Sequence, residues 1–99
     1  MGVLAMLELE GDTRGLMAAT EKLDELLPAP EGLLARIVAP TGDGMVLFQL
    51  WESAEARSRN AEHPGHADAL AASGLTAAVR GSRSRAFDGA ELRFVAEAP

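Results

Sequence analysis

The 99-residue sequence predicts an α+β fold of element order βαββαβ, with two helices on one face of a four-stranded antiparallel sheet. Three observations predict it. Apolar runs of strand length alternate with segments whose apolar residues recur at helical spacing. Pro40-Thr41-Gly42-Asp43-Gly44 places proline and two glycines where a tight reversal needs them. The apolar run Met45-Val46-Leu47-Phe48-Gln49-Leu50-Trp51 passes through Glu52 straight into a helix cap, Ser53, with no linker.

In order, Val3 to Glu10 reads as the first strand, and Gly11-Asp12-Thr13 breaks it. Either Asp12 or Thr13 can cap the helix that follows, because each can accept a bond from a free amide of the first turn. Leu16, Ala19, Leu23, Leu26 and Leu27 form its apolar stripe, and Pro28 ends it. Leu33 to Ala39 is the second strand and Met45 to Trp51 its hairpin partner. Ser53 opens the second helix, Pro64 interrupts and restarts it, and Ala67, Leu70 and Ala71 carry the stripe on to Gly74. Leu75 to Val79 reads as one loose helical turn, the stretch through Gly89 as loop, and Glu91 to Glu97 as the last strand. No internal repeat is present.

Composition narrows the function classes. The apolar fraction of 47% supplies a core for a single domain spanning residues 1–99. Cysteine is absent, which excludes disulfides, thiolate catalysis and zinc-cysteine sites. A formal charge of −6 argues against nucleic-acid binding, whose affinity rests on phosphate neutralisation. No membrane-spanning run and no signal-peptide pattern is found, so a cytoplasmic location is expected. The basic cluster Arg80-Gly81-Ser82-Arg83-Ser84-Arg85 reads either as a solvated loop or as a clamp for an anion.

Splitting the strands by parity gives two predicted sheet faces. One set contains Val3, Ala5, Leu7, Leu9, Leu33, Ala35, Ile37, Ala39, Val46, Phe48, Leu50, Leu92, Phe94 and Ala96, all apolar, and reads as the helix-packed core. The other contains Leu4, Met6, Glu8, Leu34, Arg36, Val38, Met45, Leu47, Gln49, Trp51, Arg93 and Val95. Two helices cover only one face, so a second copy of the chain is expected to cover this second set. Faces held apart at their centres would enclose an apolar lumen carrying Glu8, Arg36, Gln49 and Arg93, the usual make-up of a small-molecule site. Glu8 and Gln49 are expected near the same ends of adjacent parallel strands, at one level of that lumen. The same charges also fit an ion pair at a dimer seam, Glu8 with Arg36 or Arg93.

The βαββαβ order, the hairpin Ala39-Pro40-Thr41-Gly42-Asp43-Gly44 and the phrase Leu50-Trp51-Glu52-Ser53-Ala54-Glu55-Ala56 resemble the dimeric α+β barrel superfamily, a ferredoxin-like fold. The nearest likeness is to the small antibiotic-biosynthesis-monooxygenase-like proteins. It spans about Val3 to Ala72 and extends to the final strand. The resemblance implies a homodimer and one of several activities: cofactor-free oxygenation of aromatic polyketides, cyclisation, isomerisation, haem degradation or ligand sensing. Trp51-Glu52-Ser53 closes a strand and caps a helix, so it specifies fold rather than activity. Two departures matter. Tyrosine, associated with the quinone-forming oxygenases, is absent. The helix tryptophan and histidine of haem degraders align with Asn60 and Leu70, and the first strand lacks their asparagine, which argues against haem.

Among residues able to carry chemistry, Glu62-His63-Pro64-Gly65-His66-Ala67-Asp68 holds both histidines. Pro64 and Gly65 spoil the regular helical face a metal pair would need, so no metal is expected. His66 reads as a general base or as an exposed histidine at a kink, and Asp68 does not face it at i+2. Trp51 could stack on a planar substrate or simply pack, while Met6, Met45 and Leu47 would line the lumen. The expected enzyme is a cofactor-free monooxygenase, or a cyclase or isomerase, acting on a small apolar or aromatic molecule. Glu8 or His66 would be its base, Arg36 or Arg93 would stabilise an enolate or phenolate, and Gln49 would orient the substrate. A non-catalytic dimeric ligand-binding protein, and a dimer whose lumen its own side chains fill, are the alternatives.

Overall fold

A computed structural model describes residues 2–27 and 29–95. Strand β1 (Gly2–Glu10) leads through Gly11 into helix α1 (Thr13–Leu26). Asp12 is the cap: its Oδ2 accepts the Gly15 amide at 2.9 Å, satisfying one orphan donor of the first turn. Thr13 does other work, donating its hydroxyl to the Thr41 carbonyl at 2.9 Å and pinning the helix start to the hairpin. Leu16 and Ala19 are buried as the stripe predicts, but Leu26 turns outward. The expected stop at Pro28 lies outside the described residues.

The hairpin β2 (Leu33–Thr41) and β3 (Gly44–Trp51) forms where the turn residues place it. Ser53 caps α2 (Ala54–Ala61), its hydroxyl accepting the Ala56 amide at 3.1 Å. The chain restarts at α3 (Pro64–Ser73), with proline at the first turn, where its missing amide costs nothing. Gly74, at φ +82°, ends α3 in the left-handed conformation that side chains disfavour, and one turn, α4 (Leu75–Ala78), follows. Strand β4 (Gly81–Ala90) completes a four-stranded antiparallel sheet of order β2-β3-β1-β4. This is the ferredoxin-like α+β arrangement.

The last strand is therefore Gly81–Ala90 and not the segment 91–97, of which Ala96 and Glu97 lie outside the described residues. The reason is physical. β4 is an edge strand that no helix overlies, so residues on both of its faces are exposed and its sequence shows no apolar alternation. Pairing along the whole length of β1 specifies it instead, with a bulge at Gly89 (φ +75°), where Gly2 opposes Ala90 but Val3 opposes Asp88.

Register also corrects the two predicted faces. β1 and β3 are antiparallel, with Val3 opposite Trp51, Ala5 opposite Gln49, Leu7 opposite Leu47 and Leu9 opposite Met45. Directly opposed residues share a face, so odd positions of β1 go with odd positions of β3. The parity sets instead joined odd to even. A bulge between Leu33 and Ala35 shifts β2 so that Arg36 and Val38 lie beside Gln49 and Leu47. The helix-covered face thus holds Val3, Ala5, Leu7, Leu9, Met45, Leu47, Gln49, Trp51, Arg36 and Val38. The open face holds Leu4, Met6, Glu8, Val46, Phe48, Leu50, Ala35, Ile37 and Ala39.

Two apolar clusters hold the helices to the sheet. Leu9, Leu16, Ala19, Met45 and Leu75 form one, and Leu16 and Met45 are wholly inaccessible. Val3, Ala5, Trp51 and Ala56 form the other, under α2. Trp51 is a core residue; its Nε1–H finds no hydrogen-bond partner among the described residues. Burying such a donor unpaired costs about 1–3 kcal/mol, offset by the large apolar area of the indole.

Candidate functional site

The predicted site residues divide between two sides of the sheet. Glu8 and Met6 sit on the open face, where Glu8 lies opposite Arg83, and Met6 opposite Arg85 and Phe48. Arg36 does not join them. Its side chain points to the helix side and forms an ion pair with Asp24 of α1. Met45, Leu47, Gln49 and Trp51 also belong to the helix side, because the antiparallel register carries them there. Gln49 opposes Ala5, three positions away from Glu8 along β1, so the two share neither a face nor a level. Arg93 follows β4, exposed, and pairs with Glu91 at 2.8 Å.

Arg83 and Arg85 take the places on the open face that Arg36 and Arg93 were expected to fill. Reading residues 80–89 as loop hid them. The signal that could have found them is the alternation Arg83-Ser84-Arg85-Ala86-Phe87, which puts both arginines and the phenylalanine on one side. The Arg85 guanidinium lies 5.1 Å from the centre of the Phe87 ring, a cation–π distance. Around Met6, Glu8, Val46, Phe48 and Arg83 the open face forms a broad groove of about 690 Å³.

His66 lies on the opposite side of the molecule. With His63, Asn60 and Arg59 it lines a cleft of about 310 Å³ between α2–α3 and the segment joining α1 to β2. Leu27, Pro30 and Ala56 supply its apolar wall, and Glu31 a carboxylate. The local sequence explains the convergence. Ser53 starts α2 so that Ala56 packs inward and Asn60 follows one turn later on the same side. The break at His63-Pro64 then redirects the chain into α3, whose first turn brings His66 to the same cleft.

The two histidines are held differently. Nδ1 of His63 accepts the Gly65 amide at 3.2 Å, capping α3, so its ring offers Nε2–H outward as a donor. No side-chain hydrogen bond occupies His66 among the described residues, while its backbone amide donates to the His63 carbonyl at 3.0 Å. Among the described residues no three histidine or acidic side chains gather as a metal-ligating group. None of the described helices is long and apolar enough to cross a membrane.

The cleft inside the helix layer and the apolar open face invite comparison with known structures. No protein-family model matches the sequence, and no curated protein does. Solved structures do. A point mutant of SnoaB, a cofactor-independent oxygenase from Streptomyces nogalater, superposes with a TM-score of 0.74 at 14% identity, covering 92% of this chain and 95% of that one. A dimeric ferredoxin-like protein of unknown function from Jannaschia sp. CCS1 gives 0.68 at 20% identity, covering 89% and 99%. A proposed antibiotic biosynthesis monooxygenase from Chloroflexus aurantiacus J-10-fl gives 0.65 at 18% identity, covering 92% and 97%. The chain has the fold of the antibiotic-biosynthesis-monooxygenase-like proteins. At these identities the likeness is one of fold, and the chemistry must be argued from the cleft.

Proposed function

We propose that the protein is a cofactor-independent oxygenase of a small aromatic or polyketide-type molecule, working as a homodimer in the cytoplasm, with its reaction in the cleft of His63 and His66. The observation that carries this reading is the convergence of an amide, a guanidinium and two imidazoles over an apolar wall in one cavity. A cavity of about 310 Å³ suits a compact planar molecule. The fold shared with a cofactor-independent oxygenase supports the reaction class.

In this reading His66, the unengaged imidazole, takes the acidic proton of a phenol or enol. His63, whose Nδ1 is committed to the α3 cap, presents Nε2–H to the developing oxyanion, and Arg59 adds positive charge beside it. Asn60 orients the substrate through its amide. The anion so formed is electron-rich enough to react with dioxygen itself, so the substrate supplies the electrons. Cyclisation or isomerisation would begin with the same deprotonation. Glu8 has no part in the cleft; it and Arg83 belong to the face a second copy covers. Dimeric neighbours of this fold support that pairing.

Oxygen uptake against a panel of hydroxylated aromatic polyketides tests the assignment. His66→Ala should lower turnover by about 10²–10⁴-fold. His63→Asn should keep the cap and lower turnover less. Full turnover in His66→Ala would remove the base from the mechanism. Saturable binding without oxygen uptake would favour the ligand-binding alternative.

A further inference from the structure

The apolar end of the cleft is closed by two of the smallest residues, Ala56 and, behind it, Gly32. Ala56 lines the cleft yet is only 1% exposed, so it forms the floor. Arg59 and Asn60 follow it on the same side of α2, because positions three and four apart are neighbours on a helix. That side of α2 is apolar at its first turn and polar at its last. Floor and Asn60 are therefore about 6 Å apart along the helix axis.

Ala56 has no room to retreat from the cleft. Inward it packs against Val3, Ala5 and Trp51. Beside it runs Gly32, where an added Cβ would stand 2.5 Å from the Ala56 Cβ. Gly32 takes a φ of +87°, which side chains disfavour, and its carbonyl accepts the Glu52 amide at 2.8 Å. The Leu33 amide donates to the Pro30 carbonyl at 3.2 Å and fixes the same bend. In packing this close, atoms added to residue 56 have only the cleft to enter.

We infer that Ala56, backed by Gly32, is the specificity-determining residue of this cleft and limits its substrate to one or two fused rings. That role rests on the reading of the cleft as the reaction site and adds what sets the substrate's size. Polarity orients the molecule: an acidic hydroxyl belongs at the polar turn near Asn60 and His66, so the ring that carries it reaches toward Ala56. Volume agrees, since about 310 Å³ lies at the small end of the roughly 300–1,000 Å³ of ligand pockets. A longer ring system would have to displace Ala56 or the bend at Gly32.

Calorimetric titration with resorcinol, 1,3-dihydroxynaphthalene and 2,6-dihydroxyanthraquinone tests this, with binding read apart from oxygen uptake. The wild type should bind the one- and two-ring compounds at least about tenfold more tightly than the three-ring one. Ala56→Ser adds one heavy atom at the floor. It should weaken 1,3-dihydroxynaphthalene by about 10–200-fold and leave resorcinol within about threefold. Ala56→Gly should move the other way and narrow the gap to the three-ring compound. Equal affinity of the wild type for all three would overturn the size limit and leave the oxygenase reading standing. No binding of any would overturn both. Ordered binding without oxygen uptake would keep the size limit and sink the oxygenase. A merely structural Ala56 would weaken every ligand alike in Ala56→Ser, which overturns its role in specificity. The ring series on the wild type needs no variant, so it decides the size limit even where Ala56→Ser fails to fold.

Discussion

The two faces of one sheet differ in what completes them. The face under the helices is finished within the protomer: Leu16, Met45 and Trp51 are at most 1% exposed, and Arg36, the cation at its edge, is paired with Asp24. The open face is equally apolar at its centre, with Leu4, Met6, Phe48 and Leu50, yet Ile37 and Phe87 stand exposed and Glu8 forms no ion pair among the described residues. Strands of the same chain carry both faces, alternating residue by residue. Hydrophobicity alone therefore does not tell which face the helices take. Connection geometry does, because the helices of both crossovers pack on the same side of the sheet.

The largest expected effect lies on the finished face. Trp51→Ala should cost about 3–5 kcal/mol, since it removes a wholly buried indole and leaves a cavity against Val3, Ala5 and Ala56. Urea denaturation reads this as a lower midpoint, and a loss under about 1 kcal/mol would mean that Trp51 is not core. Ile37→Asp sharpens the contrast from the other side. The side chain is exposed in the protomer, so stability measured at monomer-favouring dilution should change by about 0.5 kcal/mol or less, while sedimentation at higher concentration should shift toward monomer. The smallest effect belongs to Arg36→Gln. The ion pair with Asp24 is largely solvent-exposed, and its loss should cost no more than about 1 kcal/mol and diminish in high salt. A larger loss would mark Arg36 as more than a helix-to-sheet tie.

Most elements were legible because each carries a local signal. Asp12 and Ser53 announce helix starts through their short acceptor side chains, and Gly74 a stop through its left-handed backbone. β4 was missed for the opposite reason. Its Arg-Ser alternation is polar on both faces, and the apolar Leu92 and Phe94 beyond it mimic a strand more closely. The site was half legible. His66 stood out as a titratable group at a kink, but its neighbours Asn60 and Arg59 gain meaning only from the turn between α2 and α3 that brings them to one cleft. Glu8, read as a partner for Gln49 and Arg36, is separated from both by the sheet itself.

By itself, then, the sequence determined the order of elements, their caps and turns, and the need for more apolar cover than two helices provide. Those follow from interactions over a few residues: a hydroxyl or carboxylate near free amides, a glycine at positive φ, apolar side chains at period two. Tertiary structure alone decided which face is which, which arginines share it with Glu8, and that His66 meets Asn60 in a cleft. Strand register is set by pairing across dozens of residues, and a shift of a single position in one strand sends every side chain of that strand to the other side.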